Sequence, residues 1–132
     1  MEAIRQLVVK ALIINDGKIL LLWDPNIRTR DKWETPGGRK KENESDDSAL
    51  VREAKEEAGI DISVERLVDS WEFPLPWKNW TLVGKSYLCT PITKDVKLED
   101  PEKQHTKYEW MPIEKAKELD LVSWLKGSIN AL

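Results

Sequence analysis

The chain is predicted to have an α+β fold, in which a mixed β-sheet packs against helices. Aliphatic runs of strand length recur along the 132 residues. One amphipathic stretch, residues 46–58, has the length and the end signals of a helix. Strand-like and helix-like segments also mix without regular alternation, which favours a mixed sheet over a purely parallel one.

The whole chain, residues 1–132, is predicted to form a single domain. A chain of 132 residues can bury a substantial core, and no repeat or linker divides it. The formal net charge of −3 offers no basic surface for a nucleic-acid duplex. No apolar run approaches the length of a membrane span, and the N-terminus lacks a secretory pattern. We therefore expect no membrane partner and a cytoplasmic location, with a monomer or a homodimer as the assembly.

The first half of the chain predicts a hairpin followed by a loop. Residues 6–14 are rich in Leu, Val and Ile and predict a strand. The turn Asn15-Asp16-Gly17 leads into a returning strand over residues 18–23. A polar loop, residues 24–32, and a short strand then precede the turn Pro36-Gly37-Gly38.

The second half predicts three more strands and two short helices. The strands are expected at residues 62–73, 81–89 and 108–111, and the helices at 113–118 and 122–129. A Pro-rich connection, 74–79, separates the first two strands, and the charged segment 94–107 is predicted to be irregular. Cys89 is expected to be a small buried side chain and His105 a surface residue, whereas Trp23, Trp33 and Trp110 are expected in the core.

The predicted helix 46–58 has clear start and stop signals. Ser45 is a plausible N-cap, and Asp46 and Asp47 place negative charge in the first turn, where the helix dipole favours it. Gly59 is suited to end the helix in a left-handed conformation. The helical period places an apolar stripe on one side, formed by Leu50, Val51, Ala54 and Ala58.

Three glutamates lie beside that apolar stripe. Glu53, Glu56 and Glu57 fall within an arc of about 100°, because residues three and four apart are neighbours on a helix. Arg52 can neutralise only part of their mutual repulsion. Mg²⁺ prefers carboxylate, water and phosphate oxygens as ligands. The cluster therefore indicates a metal site that holds a phosphorylated ligand, although an acidic helical face is usually only solvated surface.

The stretch from Gly38 to Ile60, GRKKENESDDSALVREAKEEAGI, carries the pattern G-x5-E-x7-R-E-x-x-E-E-x-G. This spacing resembles the Nudix box of the Nudix hydrolases, which cleave nucleoside diphosphates linked to another group X. The resemblance implies an α/β/α sandwich with the mixed sheet between helices, and Mg²⁺, with Mn²⁺ as an alternative, as the cofactor. The matching positions are Gly38, Glu44, Arg52, Glu53, Glu56, Glu57 and Gly59.

The resemblance also assigns roles within the box. Glu53, Glu56 and Glu57 are expected to bind the metal, Arg52 to orient them, and Glu44 to support Arg52. The preceding run Trp33-Glu34-Thr35-Pro36-Gly37-Gly38 resembles the W-x-x-P-G-G segment that often leads into Nudix boxes. In that family a carbonyl of the glycine region also binds the metal, and here it belongs to Gly37 or Gly38. The general base is expected among Glu53, Glu56, Glu102 and Glu109.

The resemblance implies a nucleotide-type small molecule as the substrate, and four aromatic residues are candidates to bind it. Trp71, Phe73, Trp77 and Trp80 flank the Pro-rich connection, where they either stack a nucleobase or pack the loop. Arg28 in the polar loop is a further candidate. Near the C-terminus, Asp120, Ser123 and Trp124 are candidate base contacts, with helix packing as the alternative for Trp124.

Three substrate classes compete within the family resemblance. The WEFP run and the chain length resemble MutT-type 8-oxo-dGTP diphosphatases, which is the interpretation we favour. Pro76, sixteen residues beyond Ile60, has a spacing typical of ADP-ribose diphosphatases. The run SWEFPLP partly resembles the motif of NADH diphosphatases. A non-catalytic nucleotide-binding module on the same scaffold is the alternative from another class, although such modules typically lose box glutamates.

Overall fold

The computed structural model describes residues 4–132. In this part of the chain the strands are β1 (Ile4–Asn15), β2 (Lys18–Trp23), β3 (Trp33–Glu34), β4 (Gly37–Arg39), β5 (Ile62–Leu75), β6 (Trp80–Pro91) and β7 (Lys107–Pro112). The α-helices are α1 (Asp46–Ala58), α2 (Ile113–Ala116) and α3 (Ser123–Asn130), and a 3₁₀ turn covers Pro76–Lys78. No helix within residues 4–132 has the length and apolarity needed to cross a membrane.

The strands form one mixed sheet. Its main path runs β3-β2-β1-β6-β5, with β4 paired to β1 and β7 paired to β2. Strands β1 and β6 are parallel, from Ile4 opposite Trp80 to Ile13 opposite Cys89. The pairs β1–β2, β1–β4, β2–β3, β2–β7 and β5–β6 are antiparallel. The predicted mixed sheet is therefore confirmed.

Helices cover both faces of the sheet. On one face, a core cluster joins Val9 and Ile13 of β1 to Leu50 and Ala54 of α1. On the other face, a second cluster joins Leu12 of β1 to residues of α2 and α3. The α/β/α arrangement that the resemblance implied is confirmed, and it leaves α1 beside the end of β4, where the candidate site lies.

Helix α1 has the predicted bounds. The Ser45 side chain accepts a hydrogen bond from the Ser48 amide, and Gly59 adopts a left-handed φ of 69°. Placing Val51 in the buried stripe was wrong, because its exposed fraction is 40%. The buried arc extends instead through Ala49 and Glu57, which leaves Val51 outside its edge.

The β5–β6 hairpin is longer than predicted. Pairing continues from Ile62 opposite Pro91 to Leu75 opposite Trp80, and the 3₁₀ turn closes it. The Pro-rich connection therefore supplies a tight turn at the end of two long strands. Because β5 extends to Leu75, Trp71 and Phe73 take up fixed positions in the sheet.

Candidate active site

Arg52 organises the acidic face of α1. Its guanidinium forms a two-point ion pair with Glu44, with Nε 2.6 Å from Oε2 and Nη2 2.9 Å from Oε1. Its Nη1 donates to Glu53 at 2.9 Å and to Glu56 at 3.2 Å. The planar fork of arginine suits such bridging, which a lysine could not reproduce. The Arg52 guanidinium alone therefore holds three carboxylates of the predicted box together.

The ion pair with Arg52 keeps Glu44 ionised. Hydrogen bonds from Arg52 and from the Lys41 amide lower the pKa of Glu44 to about 2. The same contacts raise the pKa of Arg52 further above its ordinary value. The Glu44 carboxylate is therefore negatively charged at neutral pH and holds the Arg52 guanidinium in place.

Glu57 differs from the other two helix glutamates because it is buried. Its exposed fraction is 7%, and its Oε1 accepts a hydrogen bond from the Gly37 amide at 3.4 Å. Burial, a hydrogen bond with Glu53 and the charge of Glu34 raise the pKa of Glu57 to about 10, although Lys10 opposes that shift. A carboxyl group in such surroundings can ionise readily only if a cation compensates it. The donor set of Glu53, Glu56 and Glu57 therefore suits a divalent cation.

The predicted glycines lie directly beside this donor set. A Cβ on Gly37, whose φ is 149°, would lie 2.2 Å from the Val9 carbonyl oxygen, so only glycine fits there. A Cβ on Gly38 would lie 2.9 Å from Oε1 of Glu53. The bare backbone of β4 thus allows the Glu53 carboxylate to approach the turn closely.

A buried polar cluster lies next to the carboxylates. Glu34 accepts hydrogen bonds from Lys10 Nζ at 3.1 Å and from Gln104 Nε2 at 3.2 Å, and its Oε2 lies 2.6 Å from His105 Nε2. Burial alone would raise the pKa of Glu34, but Lys10 and His105 lower it to about 2. The three carboxylates Glu34, Glu57 and Glu53 in turn raise the pKa of Lys10, against the effect of its burial. Both ends of the Lys10–Glu34 pair are therefore charged.

The expectation of a surface position for His105 was wrong, since its side chain is only 1% exposed. The segment between β6 and β7 folds back over α1, with the Lys97 amide donating to the Ala58 carbonyl. That path inserts His105 beside Glu34, a residue 71 positions away in the sequence. No local sequence pattern marks this contact.

An open cleft of about 1010 Å³ runs past the carboxylates. Glu53, Glu56 and Glu57 line it together with both glycines, and Arg39, Lys40, Lys41 and Lys78 add positive charge. Trp71, Trp80 and Trp124 supply aromatic surface. The cleft therefore combines an acidic wall with cationic and aromatic groups.

The four aromatic candidates divide into two groups. Trp71 lines the cleft and stacks on Trp124, with ring centroids 4.8 Å apart. Trp80 also lines it, with Arg39 and Lys78 over its ring. Phe73 does not line the cleft, although, like Trp71, it packs against the second core cluster.

Trp77 and Arg28 contact each other away from the cleft lining. Trp77 is 58% exposed, and the Arg28 guanidinium lies 4.4 Å from its ring centroid. The contact joins the 3₁₀ turn to the polar loop. The structure therefore brings Arg28 to Trp77 and does not bring either of them to the carboxylates.

The remaining candidate site residues, which were predicted as general bases or as contacts to the nucleobase, also lie in different parts of the structure. Glu102 lines the cleft, whereas Glu109 pairs with Leu21 in the β2–β7 ladder. Asp120 accepts a hydrogen bond from the Arg30 amide and joins two loops. Trp124 contributes both to the cleft and to the second core cluster. Cys89 is fully buried, as predicted.

Comparison with known proteins agrees with this geometry. Residues 4–132 match the NUDIX domain family. The chain is 45% identical over 64 residues to a CTP pyrophosphohydrolase of Escherichia coli, covering 48% of this chain and 47% of that protein. It is 42% identical over 50 residues to an 8-oxo-dGTP diphosphatase of Proteus vulgaris, covering 38% and 45%. The matched segments thus span less than half of these relatives.

A solved structure supports the same relationship. The MutT protein from Methanosarcina mazei Go1 superposes with a TM-score of 0.83 at 28% identity, over 98% of this chain and 94% of that one. This superposition includes both the sheet and the helices of the chain. The chain belongs to the Nudix hydrolase family.

Proposed function

We propose that this protein is a Mg²⁺-dependent hydrolase of diphosphate linkages, converting NDP-X to NMP and a phosphorylated X. Within this class we propose nucleoside triphosphates, including oxidised ones, as the substrates. The observation that carries the proposal is the acidic face of α1, which opens into the cleft beside Gly37 and Gly38. All box glutamates are present, which disfavours a non-catalytic module.

The residues of α1 supply the charge arrangement for this reaction. Glu53, Glu56 and Glu57 would hold Mg²⁺ or Mn²⁺, together with a carbonyl oxygen of Gly37 or Gly38. A cation bound there would neutralise phosphate oxygens and lower the pKa of coordinated water. Arg52 keeps the Glu53 and Glu56 carboxylates close together through its bonds at 2.9 and 3.2 Å. Phosphoryl transfer depends mainly on such positioning and charge neutralisation.

One carboxylate must also take the proton of the attacking water. Glu53, Glu56 and Glu102 all line the cleft, which supports each of them as the group that takes this proton. Glu109 is absent from that lining and is the weaker candidate. We therefore retain Glu53, Glu56 and Glu102 as candidate bases.

The cationic groups of the cleft favour a substrate with several phosphates. Arg39, Lys40, Lys41 and Lys78 line it, and each can pair with phosphate oxygens. Trp71 and Trp80 lie in the same lining and offer surfaces for a base. The relatives named for CTP and 8-oxo-dGTP also act on nucleoside triphosphates, which supports this choice. Pro76 supports ADP-ribose as the second candidate only through its sequence spacing.

A substrate panel with product identification tests the proposal. The protein with Mg²⁺ is incubated with 8-oxo-dGTP, the common nucleoside triphosphates, ADP-ribose and NADH, and products are separated by ion-exchange chromatography. We expect nucleoside monophosphate and pyrophosphate from at least one triphosphate. Hydrolysis of ADP-ribose or NADH alone would contradict the triphosphate assignment, and no hydrolysis of any compound would contradict the enzymatic one.

A further inference from the structure

Two buried serines connect Trp71, a residue of the cleft lining, to helix α3. Ser86 of β6 and Ser128 of α3 are both fully buried, and their Oγ atoms lie 2.8 Å apart. Trp71 Nε1 donates to Ser86 Oγ at 2.9 Å, and Ser128 Oγ donates to Oδ2 of Asp69 at 3.0 Å. Four side chains from two strands and one helix thus form a continuous chain of hydrogen bonds, which we call the serine bridge.

The two ends of the serine bridge fix the direction of every bond in it. The indole Nε1–H can only donate, so Ser86 Oγ accepts from Trp71. The Ser128 hydroxyl donates its proton to Asp69, so its oxygen accepts the proton of Ser86. Each hydroxyl donates once and accepts once, as buried polar groups require. Removing one member therefore leaves its neighbours in the bridge without a partner.

A β-bulge turns Asp69 and Trp71 toward α3. The β5–β6 ladder has a register shift between Leu67 and Asp69. Val68 and Asp69 consequently face the same side, where Val68 packs against the second core cluster and Asp69 accepts from α3. With regular alternation, Asp69 and Trp71 would face the opposite side of the sheet. Bulges often redirect side chains in this way beside active sites.

Packing restrains the Trp71 ring in one direction only. The Gly84 backbone lies against the ring from the sheet, since a Cβ there would be 2.1 Å from Cζ2, and Trp124 of α3 stacks on it with an interplanar angle of 18°. Such contacts limit movement across the ring plane but permit sliding within it. The directional bond to Ser86 fixes that remaining freedom. Trp71 and Trp124, which both line the cleft, therefore form one rigid unit.

We propose that Asp69, Ser128 and Ser86 are positioning residues: they hold the stacked Trp71–Trp124 pair as the wall of the cleft against which the nucleoside part of the substrate packs. The inference rests on the proposed function as a nucleotide hydrolase. None of the three residues lines the cleft, so they act through Trp71. A wall that is ordered before the substrate arrives lowers the entropic cost of binding.

Nuclear magnetic resonance tests the serine bridge in the substrate-free protein. The indole N–H signal of Trp71 is identified as the one that disappears in Trp71→Phe. In Ser128→Ala the proton of this signal should exchange with water faster than in the wild type. Ser63→Ala, at an exposed position near the start of β5, is the control and should leave the exchange rate unchanged. Unchanged exchange in Ser128→Ala would overturn the inference, whatever the activity of the protein.

Kinetics test whether the bridge serves substrate binding. At saturating Mg²⁺, the KM for 8-oxo-dGTP or CTP, whichever the wild type hydrolyses, should rise about 2–10-fold in Ser128→Ala, the range that one neutral hydrogen bond supplies. The kcat should stay unchanged. Inorganic triphosphate, used as a competitive inhibitor without a nucleoside, should keep its inhibition constant. In Trp71→Phe, which lacks the indole donor, adding Ser128→Ala should raise the KM no further.

A conservative variant separates positioning from loss of packing. Asp69→Asn keeps an oxygen that can accept from Ser128 and should retain the wild-type KM, whereas Asp69→Leu should raise it. Reduced stability of Ser128→Ala with an unchanged KM would overturn the inference, because the bridge would then only fasten α3. Proportional increases in the nucleotide KM and the triphosphate inhibition constant would overturn it as well. Failure of the wild type to hydrolyse any triphosphate would instead contradict the proposed function.

Discussion

Trp71 occupies the space that a side chain on Gly84 would fill. A Cβ on Gly84 would lie 2.1 Å from Cζ2 of Trp71, far inside van der Waals contact. The two residues are directly opposite in the β5–β6 ladder. Trp71 Nε1 also donates to Ser86 Oγ at 2.9 Å, and the ring stacks on Trp124. A glycine in β6 therefore positions one aromatic wall of the cleft.

Gly84→Ala should destabilise the fold because the added methyl group must displace the Trp71 ring. Overpacking of this kind costs about 1–3 kcal/mol, which urea denaturation measures. Gly127→Ala in α3 is the control, because its Cβ would meet only Asp69 at 3.8 Å. Removing a helical glycine should stabilise the protein by roughly 0.5–1 kcal/mol. Equal stability of Gly84→Ala and the wild type would contradict the described packing.

Glu34→Gln should destabilise the protein at neutral pH, because it removes the carboxylate that is hydrogen-bonded to the buried Lys10 charge. Breaking a buried pair costs about 3–5 kcal/mol. The pKa of Glu34 is lowered from 4.5 to about 2 in the folded state, so its contribution is present above pH 4.5. That contribution is lost as the pH falls through the folded pKa, and the stabilities of wild type and variant should converge toward pH 2.

Urea denaturation of both proteins at several pH values measures this convergence. Glu72→Gln is the control, because Glu72 forms an exposed ion pair with Arg5. Such surface pairs contribute about 0–1 kcal/mol, so a small difference at any pH is expected. A constant difference between Glu34→Gln and wild type from pH 7 to pH 2 would show that Glu34 is not ionised in the folded protein.

The Cys89 thiol should be unreactive in the native protein. Burial and the nearby charges of Asp47 and Glu65 raise its pKa to about 12, so the reactive thiolate is scarce at pH 8. Labelling with a thiol reagent should therefore proceed only in guanidinium, with one label per chain. Rapid labelling under native conditions would contradict the buried position of Cys89 on β6.

Glu57→Gln should abolish most of the activity while preserving the fold. Losing a group that stabilises transition-state charge typically costs about 10²–10³-fold in kcat. Glutamine keeps the size of the side chain and can accept from the Gly37 amide. Circular dichroism should therefore be unchanged. Glu65→Gln on the exposed part of β5 serves as the control and should keep full turnover. Near-normal turnover of Glu57→Gln would contradict its role.

Local signals made helix α1 and its acidic face predictable from the sequence. The Ser45 cap, the Gly59 stop and the helical period specify which residues face one another without reference to the rest of the fold. The contacts of Glu34 were not predictable in this way. Lys10 lies 24 positions from Glu34 and His105 lies 71 positions from it, so only the sheet topology and the returning segment bring them together.

The positions of the aromatic candidates were also not predictable from local sequence signals. Their sequence cluster predicted one group around the Pro-rich connection, yet the strands and the turn distribute them differently. Trp71 and Trp80 reach the cleft lining, while Trp77 pairs with Arg28 outside it. Strand register and turn geometry decide which side chains share a surface, and neither is evident from residue type alone.

Metal dependence of nucleotide hydrolysis tests the central claim most directly. The protein is freed of metal with excess EDTA, and hydrolysis of a nucleoside triphosphate is followed as Mg²⁺ is added back. We predict no turnover in EDTA and full recovery with Mg²⁺, because Glu53, Glu56 and Glu57 require a cation to act on phosphate. Undiminished hydrolysis in excess EDTA would contradict the account.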